Sequence, residues 1–299
     1  MTIKTKASRR LLALDMDGTL LNSRKEVTPA TAKALKSLRD RGIVLALCTG
    51  RNISDGGEIR EAMTLFDYAI FANGAHIVDL VSGRTLAVNP LPRRLAAEVL
   101  RAVETEDMVI RVLCEDRIVM RRRDLSLMAP CHIPNYEPLM RRIAAFYDSE
   151  AAFMAAVTSE GEAAAASGPA VADTNAAEPP LTVLKIVFSC RDWETALRNK
   201  AKADAIPGLT SATSDTPGFE ISAAGVDKGE GLKTLCRYLD IPVSAAAAAG
   251  DSGNDIPSVR AAGLGIAMGN AEEAVIAAAD VTVADCDHEG VVEIVRRFF

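Results

Sequence analysis

The chain has 299 residues, 49% of them hydrophobic and 25% charged. That is the balance of a soluble globular protein with apolar mass for a core and length for about two domains. Lysine and arginine number 34 against 40 acids, a formal charge of −6 that argues against a nucleic-acid partner. The six cysteines are scattered with no C-x-x-C pair, which suggests neither a zinc site nor a dense disulfide framework and makes the reduced cytosol the simplest home.

The first residues, MTIKTKASRRLLAL, place a basic stretch before apolar ones. The apolar part, Leu11 to Leu14, is shorter than the roughly 7 to 15 residues of a signal-peptide core. No run approaches the roughly 18 apolar residues of a membrane span, so no membrane partner is expected. Leu11–Leu14 reads as a buried strand. A helix follows over Pro29 to Arg41, with Thr28 as N-cap, Pro29 at its first position, Leu35 and Leu38 on one face and Gly42 as stop. Ile43–Cys48 is the next strand, Asp55 to Leu65 a helix and Tyr68–Ala72 another strand. Asn73-Gly74 and Ser82-Gly83 are turn signals that frame a hairpin around Ala75–Val81.

From about Pro90 the rhythm changes. Leu95–Val103 reads as a helix, Val109–Cys114 and Ile118–Arg122 as paired strands, Val183–Ser189 as a strand and Trp193–Ile206 as a helix. Ser159 to Thr182 carries four acids, no base and no aromatic residue, and reads as a mobile surface loop. Alternation returns with a helix over Lys228–Leu239, a strand over Ala245–Ala249 and a helix over Ile256–Ala262. Leu264–Ala267 and Val281–Val283 read as strands, Glu272–Ala278 and Gly290–Phe298 as helices. Alanine is a poor strand former; Ala245–Ala249 is assigned as a strand because it ends in Gly-Asp, as a buried strand delivering a carboxylate would. The expected fold is α/β: a doubly wound, mostly parallel, Rossmann-like core sheet over 1–87 and 223–299, with an inserted α+β cap domain over 88–222.

Four stretches carry chemistry. In Asp15-Met16-Asp17-Gly18-Thr19-Leu20-Leu21, two carboxylates leave the end of an apolar strand together, where ligands of open α/β sheets sit; burying both charges needs a cation or protons. A calcium loop fits Asp15, Asp17, Thr19 and Glu26 but has Leu20 where it needs glycine, and an apolar strand leads into it. Cys48-Thr49-Gly50-Arg51 offers a hydroxyl and free N–H groups at a strand-to-helix turn, a phosphate cradle in the making. Lys228 stands just before a helix. Gly250-Asp251-Ser252-Gly253-Asn254-Asp255 follows a small apolar run. A serine-nucleophile reading of Ser252, with His76 or His132 as base, is disfavoured because Asn254-Asp255 stands where such proteases continue with Gly-Pro. Gly263-Leu264-Gly265 with Gly269 misses the dinucleotide spacing by one residue and reads as a strand-end turn. Arg121-Arg122-Arg123 reads as a solvated charge run, His132 as a loop residue and His76 as structural.

In this order and context the four stretches resemble the haloacid dehalogenase superfamily of phosphatases, in particular its Cof-type branch. Ala72-Asn73-Gly74-Ala75, Gly265-Ile266-Ala267-Met268-Gly269-Asn270-Ala271 and Ala279-Asp280-Val281-Thr282 look like that branch as well. Near the end, His288-Glu289-Gly290-Val291 stands where the branch usually reads Glu-Asp-Gly-Val. The resemblance implies a phosphatase of small phosphorylated metabolites, sugar phosphates by default, working as a monomer or small homo-oligomer. It implies Asp15 as nucleophile, Asp17 as general acid and base, and Mg²⁺ on Asp15, the Asp17 backbone carbonyl and Asp251. Thr49, Gly50, Lys228 and Asn254 would hold phosphoryl oxygens, with Asp255 behind them orienting Lys228 or a metal-bound water. The cap would close over the substrate. A phosphomutase, or a non-catalytic binding protein on the same fold, is the alternative.

Overall fold

The computed structural model describes residues 10–55, 60, 62–158, 181–213 and 216–299. The expected loop over 159–182 lies outside them apart from its last two residues, and the expected helix over Asp55 to Leu65 falls on them only in part. The chain divides into two compact units, with boundaries after Arg51, Ala87 and Gly225; the short stretch from Asn52 is counted in the second.

In chain order the strands are β1 (Leu11–Leu14), β2 (Val44–Cys48), β3 (Tyr68–Phe71), β4 (His76–Asp79) and β5 (Arg84–Val88). Then come β6 (Met108–Cys114), β7 (Ile118–Arg121), β8 (Ala144–Tyr147), β9 (Val183–Cys190), β10 (Leu209–Thr213) and β11 (Gly218–Ala223). The last are β12 (Ala246–Gly250), β13 (Leu264–Ala267) and β14 (Val281–Thr282).

The first unit is built on a sheet of eight strands in the order β14-β13-β12-β1-β2-β3-β4-β5. The strands from β14 to β3 run parallel, and β4 folds back antiparallel on β3. Every residue of β1 and of β12 is buried, as strands covered on both faces must be. On one face Leu232 and Leu235 of helix Lys228–Tyr238 join Leu11, Ala13, Ala246 and Ala248 in one apolar cluster. Helix Pro29–Asp40 packs on β2 and on helix Gly290–Phe298. Thr28 caps it, its side chain accepting from the Thr31 N–H, and Gly42 stops it at φ +75°. The alanines of β12 form a strand despite their propensity because β1 and β13 pair with both of its edges.

The second unit carries a sheet of six strands in the order β10-β11-β9-β6-β7-β8. Its pairs are antiparallel except β7 with β8. Helices Arg93–Ala102, Glu150–Thr158 and Trp193–Asp204 contribute Leu95, Phe153 and Ala196 to an apolar layer on one face, where Phe188 and Phe219 stack with centroids 4.6 Å apart. The fold is thus α/β, with a mostly parallel core sheet and a second, mostly antiparallel sheet in the inserted unit.

One expectation fails here. Arg121 does not belong to a solvated charge run: it is 1% exposed. Its guanidinium donates to the Thr105 and Met108 carbonyls, both at 2.9 Å, and pairs with Asp124 at 3.0 Å and Glu150 at 3.1 Å. Arg121 ends β7, whose residues are all buried, and lies against Phe153 of helix Glu150–Thr158, while Arg122 and Arg123 lie beyond the strand and stay half exposed; a buried guanidinium is tolerable only with its donors engaged.

Candidate active site

β1 and β12 run side by side and end together. The Asp15 N–H donates to the Ala249 carbonyl at 3.0 Å, one step past the strand, so the Asp15 carboxylate leaves at the carboxyl edge of the sheet. The chain then turns at Gly18, whose φ of +78° suits glycine; a Cβ there would collide with the Asp251 carboxylate. That close approach lets the loop after β1 touch the loop after β12. Thr19 Oγ1 donates to Asp251 Oδ1 at 3.0 Å, and Asn270 Nδ2 to the Gly18 carbonyl at 2.8 Å.

Helix Lys228–Tyr238 begins beneath these loops, capped by Asp227, whose carboxylate accepts from the Glu230 N–H. Lys228, 1% exposed, donates to Asp15 Oδ1 at 2.6 Å and to Asp255 Oδ1 at 2.5 Å. The other Asp255 oxygen accepts from the Asp251 and Ser252 N–H groups, both at 3.0 Å, tightening the turn after β12. Carboxylate oxygens of Asp15, Asp251 and Asp255 lie within 4.8 Å of one another. Two carboxylates therefore contact one buried ammonium, with the half-buried Asp251 carboxylate beside them. Burial, together with the Asp255 charge, raises the pKa of Asp15 well above the carboxylate range, and Lys228 only partly opposes this. Burial alone would lower Lys228, but Asp15 and Asp255 outweigh it and hold the ammonium charged. Such a cluster of hard oxygen donors with surplus negative charge fits a divalent cation such as Mg²⁺.

Asp17 points elsewhere. Arg51 grips it with two bonds, Nε to Oδ2 at 2.8 Å and a terminal nitrogen to Oδ1 at 2.7 Å, and Lys25 adds a third at 2.9 Å. Burial alone would raise its pKa, but Arg51 and Lys25 prevail and hold it below the usual range. Thr49 is buried and its Oγ1 accepts from the Arg51 N–H at 3.1 Å; Gly50 lies between them, half buried. Asn254 donates to Asn73 Oδ1 at 3.4 Å and its own Oδ1 accepts from the Ser252 hydroxyl at 3.0 Å. Asp15, Lys228, Asp251 and Asp255 are thus directly linked, Asp17 joins the Thr49–Arg51 loop, and Asn254 joins Asn73. Ser252 is not a nucleophile paired with an imidazole, since His76 meets Thr85 and His132 meets the Arg191 carbonyl.

Sequence reasoning assigned no role in the site to Arg51, Lys25, Thr19 or Asn73. Arg51, Thr19 and Asn73 sit inside stretches it singled out, so the polar residues of those motifs were the available signal. Lys25 gives none, because it reaches back across eight positions from an irregular loop.

A parallel sheet with acidic loops at its carboxyl edge, a buried lysine between the carboxylates and a hydroxyl turn on the neighbouring strand define a hydrolase that handles anionic esters. The profile of the haloacid dehalogenase-like hydrolases matches residues 12–295. The chain is 29% identical to phosphatase YwpJ of Bacillus subtilis over 96% of its own length and 99% of the relative's. It is 24% identical to the pyridoxal phosphate phosphatase YbhA of Escherichia coli over 96% and 97% of the two chains. The sugar phosphatase BT4131, of subclass IIB, shares its fold with a TM-score of 0.76 over 97% of this chain and 98% of the other, at 20% identity. The chain belongs to the haloacid dehalogenase-like hydrolase family, as a phosphatase of its Cof-type branch.

Proposed function

We propose that this protein is a Mg²⁺-dependent phosphatase of small phosphorylated metabolites, sugar phosphates first among them, which passes through an aspartyl phosphate on Asp15. The observation that carries this reading is the buried Lys228 ammonium, 2.6 Å from Asp15 and 2.5 Å from Asp255, beside the Asp251 carboxylate. A structural ion pair needs one partner; two carboxylates on one buried lysine, with a third beside them, suit a site that also takes a cation and an anionic substrate.

Asp15 and Asp251, with the Asp17 backbone carbonyl, would hold the ion, which when bound offsets the repulsion between carboxylate and phosphate. Lys228 steadies the Asp15 carboxylate and supplies a fixed positive charge for the transferring phosphoryl oxygens, alongside the Thr49 hydroxyl, the Gly50 N–H and the Asn254 amide. An Asp15 oxygen attacks phosphorus and the bond to the leaving oxygen breaks, with a proton from Asp17. Water then attacks the aspartyl phosphate, Asp17 takes its proton, and free phosphate and the Asp15 carboxylate return. Such acid–base help is worth typically about 10²–10⁴ in rate. Arg51 holds Asp17 in the ionised form, which the second half needs; the first half requires Asp17 to be protonated and out of that grip. Asp255 orients Lys228.

The test is hydrolysis of p-nitrophenyl phosphate with Mg²⁺ and with chelator, followed by release of free phosphate from a panel of phosphorylated metabolites. The wild type should work only with the ion, and Asp15→Asn should be inactive. Full activity in Asp15→Asn, or an isomerised ester in place of free phosphate, would overturn the assignment.

A further inference from the structure

The four groups proposed to hold phosphoryl oxygens come from three stretches far apart in sequence, and one short turn touches all three stretches. Between β3 and β4 the backbone passes through three successive left-handed residues: Ala72 at φ +48°, Asn73 at +55° and Gly74 at +104°. Residues with a Cβ rarely adopt that region, and two in a row persist only where their surroundings insist on it.

Those surroundings can be named. The Ala72 N–H donates to the Arg51 carbonyl at 2.9 Å and the Asn73 N–H to the Thr49 carbonyl at 3.1 Å, so the turn grips both ends of the Thr49–Arg51 loop. The Asn73 side-chain oxygen accepts from Asn254 Nδ2 at 3.4 Å. Gly74 lies against the start of the helix that carries Lys228; a Cβ on it would collide with the Asp227 carbonyl oxygen, and its Cα lies 2.9 Å from where a Cβ on Gly231 would stand. Asn73 is 8% exposed. A hairpin joining β3 to β4 requires none of this, since an ordinary two-residue turn would close it.

We propose that Ala72–Asn73–Gly74 is the positioning element of the phosphoryl cradle: its backbone sets the Thr49–Arg51 loop, the Asn73 amide sets Asn254, and Gly74 seats the helix of Lys228. Asn73 is the positioning residue. It combines tolerance of the left-handed region with an uncharged acceptor aimed at Asn254. The inference rests on the phosphatase reading for its kinetic consequence, though not for its geometry.

Two substitutions separate backbone from side chain. Asn73→Gly keeps the left-handed conformation and loses the amide; Asn73→Ala loses the amide and resists the conformation. With p-nitrophenyl phosphate and orthovanadate as probes, Asn73→Gly should melt as the wild type does while kcat/KM and the orthovanadate inhibition constant each worsen about fivefold, the worth of one hydrogen bond. Asn73→Ala should fall further, to about 10²-fold, as the whole cradle shifts. A merely structural turn would move the melting temperature in Asn73→Ala and leave orthovanadate inhibition intact in Asn73→Gly. Wild-type kcat/KM and inhibition in both variants would overturn the turn's role and leave the phosphatase reading standing. If the wild type hydrolyses no ester, that reading fails by itself, and hydrogen exchange decides about the turn. Faster exchange in Asn73→Ala at both the 49–51 and the 251–255 amides supports its role, and unchanged exchange there refutes it.

Discussion

Lys228→Met is the most informative single change, because it leaves shape and removes charge. The ammonium lies 2.6 Å from one buried carboxylate and 2.5 Å from another. At an effective dielectric of about 20, each contact carries roughly 6 kcal/mol of Coulomb attraction, against several kcal/mol of desolvation for each ion. Removing one partner of such a group costs about 3–5 kcal/mol, because the carboxylates stay behind. The metal-free variant should therefore unfold about 6–20 °C lower than the metal-free wild type. The deficit should also depend on pH. Burial and Asp255 already raise the pKa of Asp15, and without Lys228 it rises further. The wild-type value is already about 8, so both proteins carry that proton at pH 5, and only the wild type releases it above pH 8; the deficit is therefore smaller at pH 5 than at pH 9. Adding Asp255→Asn removes one of the stranded charges and should recover part of the loss, with a coupling of about 0.5–3 kcal/mol. Urea unfolding at both pH values measures all three quantities. A deficit below about 1 kcal/mol at pH 9, or one equal at pH 5 and pH 9, would refute the view that Lys228 neutralises the cluster.

Other changes follow from the same contacts. Arg51→Met should let the Asp17 pKa climb back toward its ordinary 3.8. Because Arg51 and Lys25 depress it, the stabilisation they give is present above pH 3.8 and vanishes as pH falls through the lower folded value, so wild type and variant should converge in urea midpoint in strong acid. Gly18→Ala combines an unfavourable backbone angle with a clash at Asp251, and should lose about 10²-fold in p-nitrophenyl phosphate turnover; undiminished turnover would mean that the two loops need not touch. Arg121→Met should destabilise the second unit by about 3–5 kcal/mol. Burial raises Asp124 to about 6 despite Arg121, so the folded chain holds that proton more tightly than the unfolded one and stability falls as pH rises from about 4 to 6. The variant should steepen that fall in thermal melts across the window.

Most of the parallel core was legible because its strands are continuous apolar runs that end in turn or acidic residues, as Leu11–Leu14 and Leu264–Ala267 do. Even the alanine strand was readable, since Gly250-Asp251 marked its end more firmly than alanine's propensity opposed it. The second unit was harder. β10 is LTSAT with no buried residue and β8 is only AAFY; both gain strand character from partners across the sheet and carry little periodicity of their own. Within the site, Asp15, Lys228 and the Asp251–Asp255 turn stood out because charged residues at strand or helix ends are chemically conspicuous. The grip of Arg51 and Lys25 on Asp17, and the contacts of Asn73, depend on where loops meet in space.

The slenderness of β12 sets a dimension that the proposed reaction depends on. Ala246 and Ala248 lie under Leu232 and Leu235 with no exposed surface to spare, so the helix that begins at Lys228 can rest almost on the sheet. A valine or leucine in that strand would act as a shim, lifting the helix and its ammonium away from the two carboxylates without altering any residue that meets substrate. Substitutions two layers beneath the reacting groups could thereby detune the enzyme while leaving its apparent active site intact.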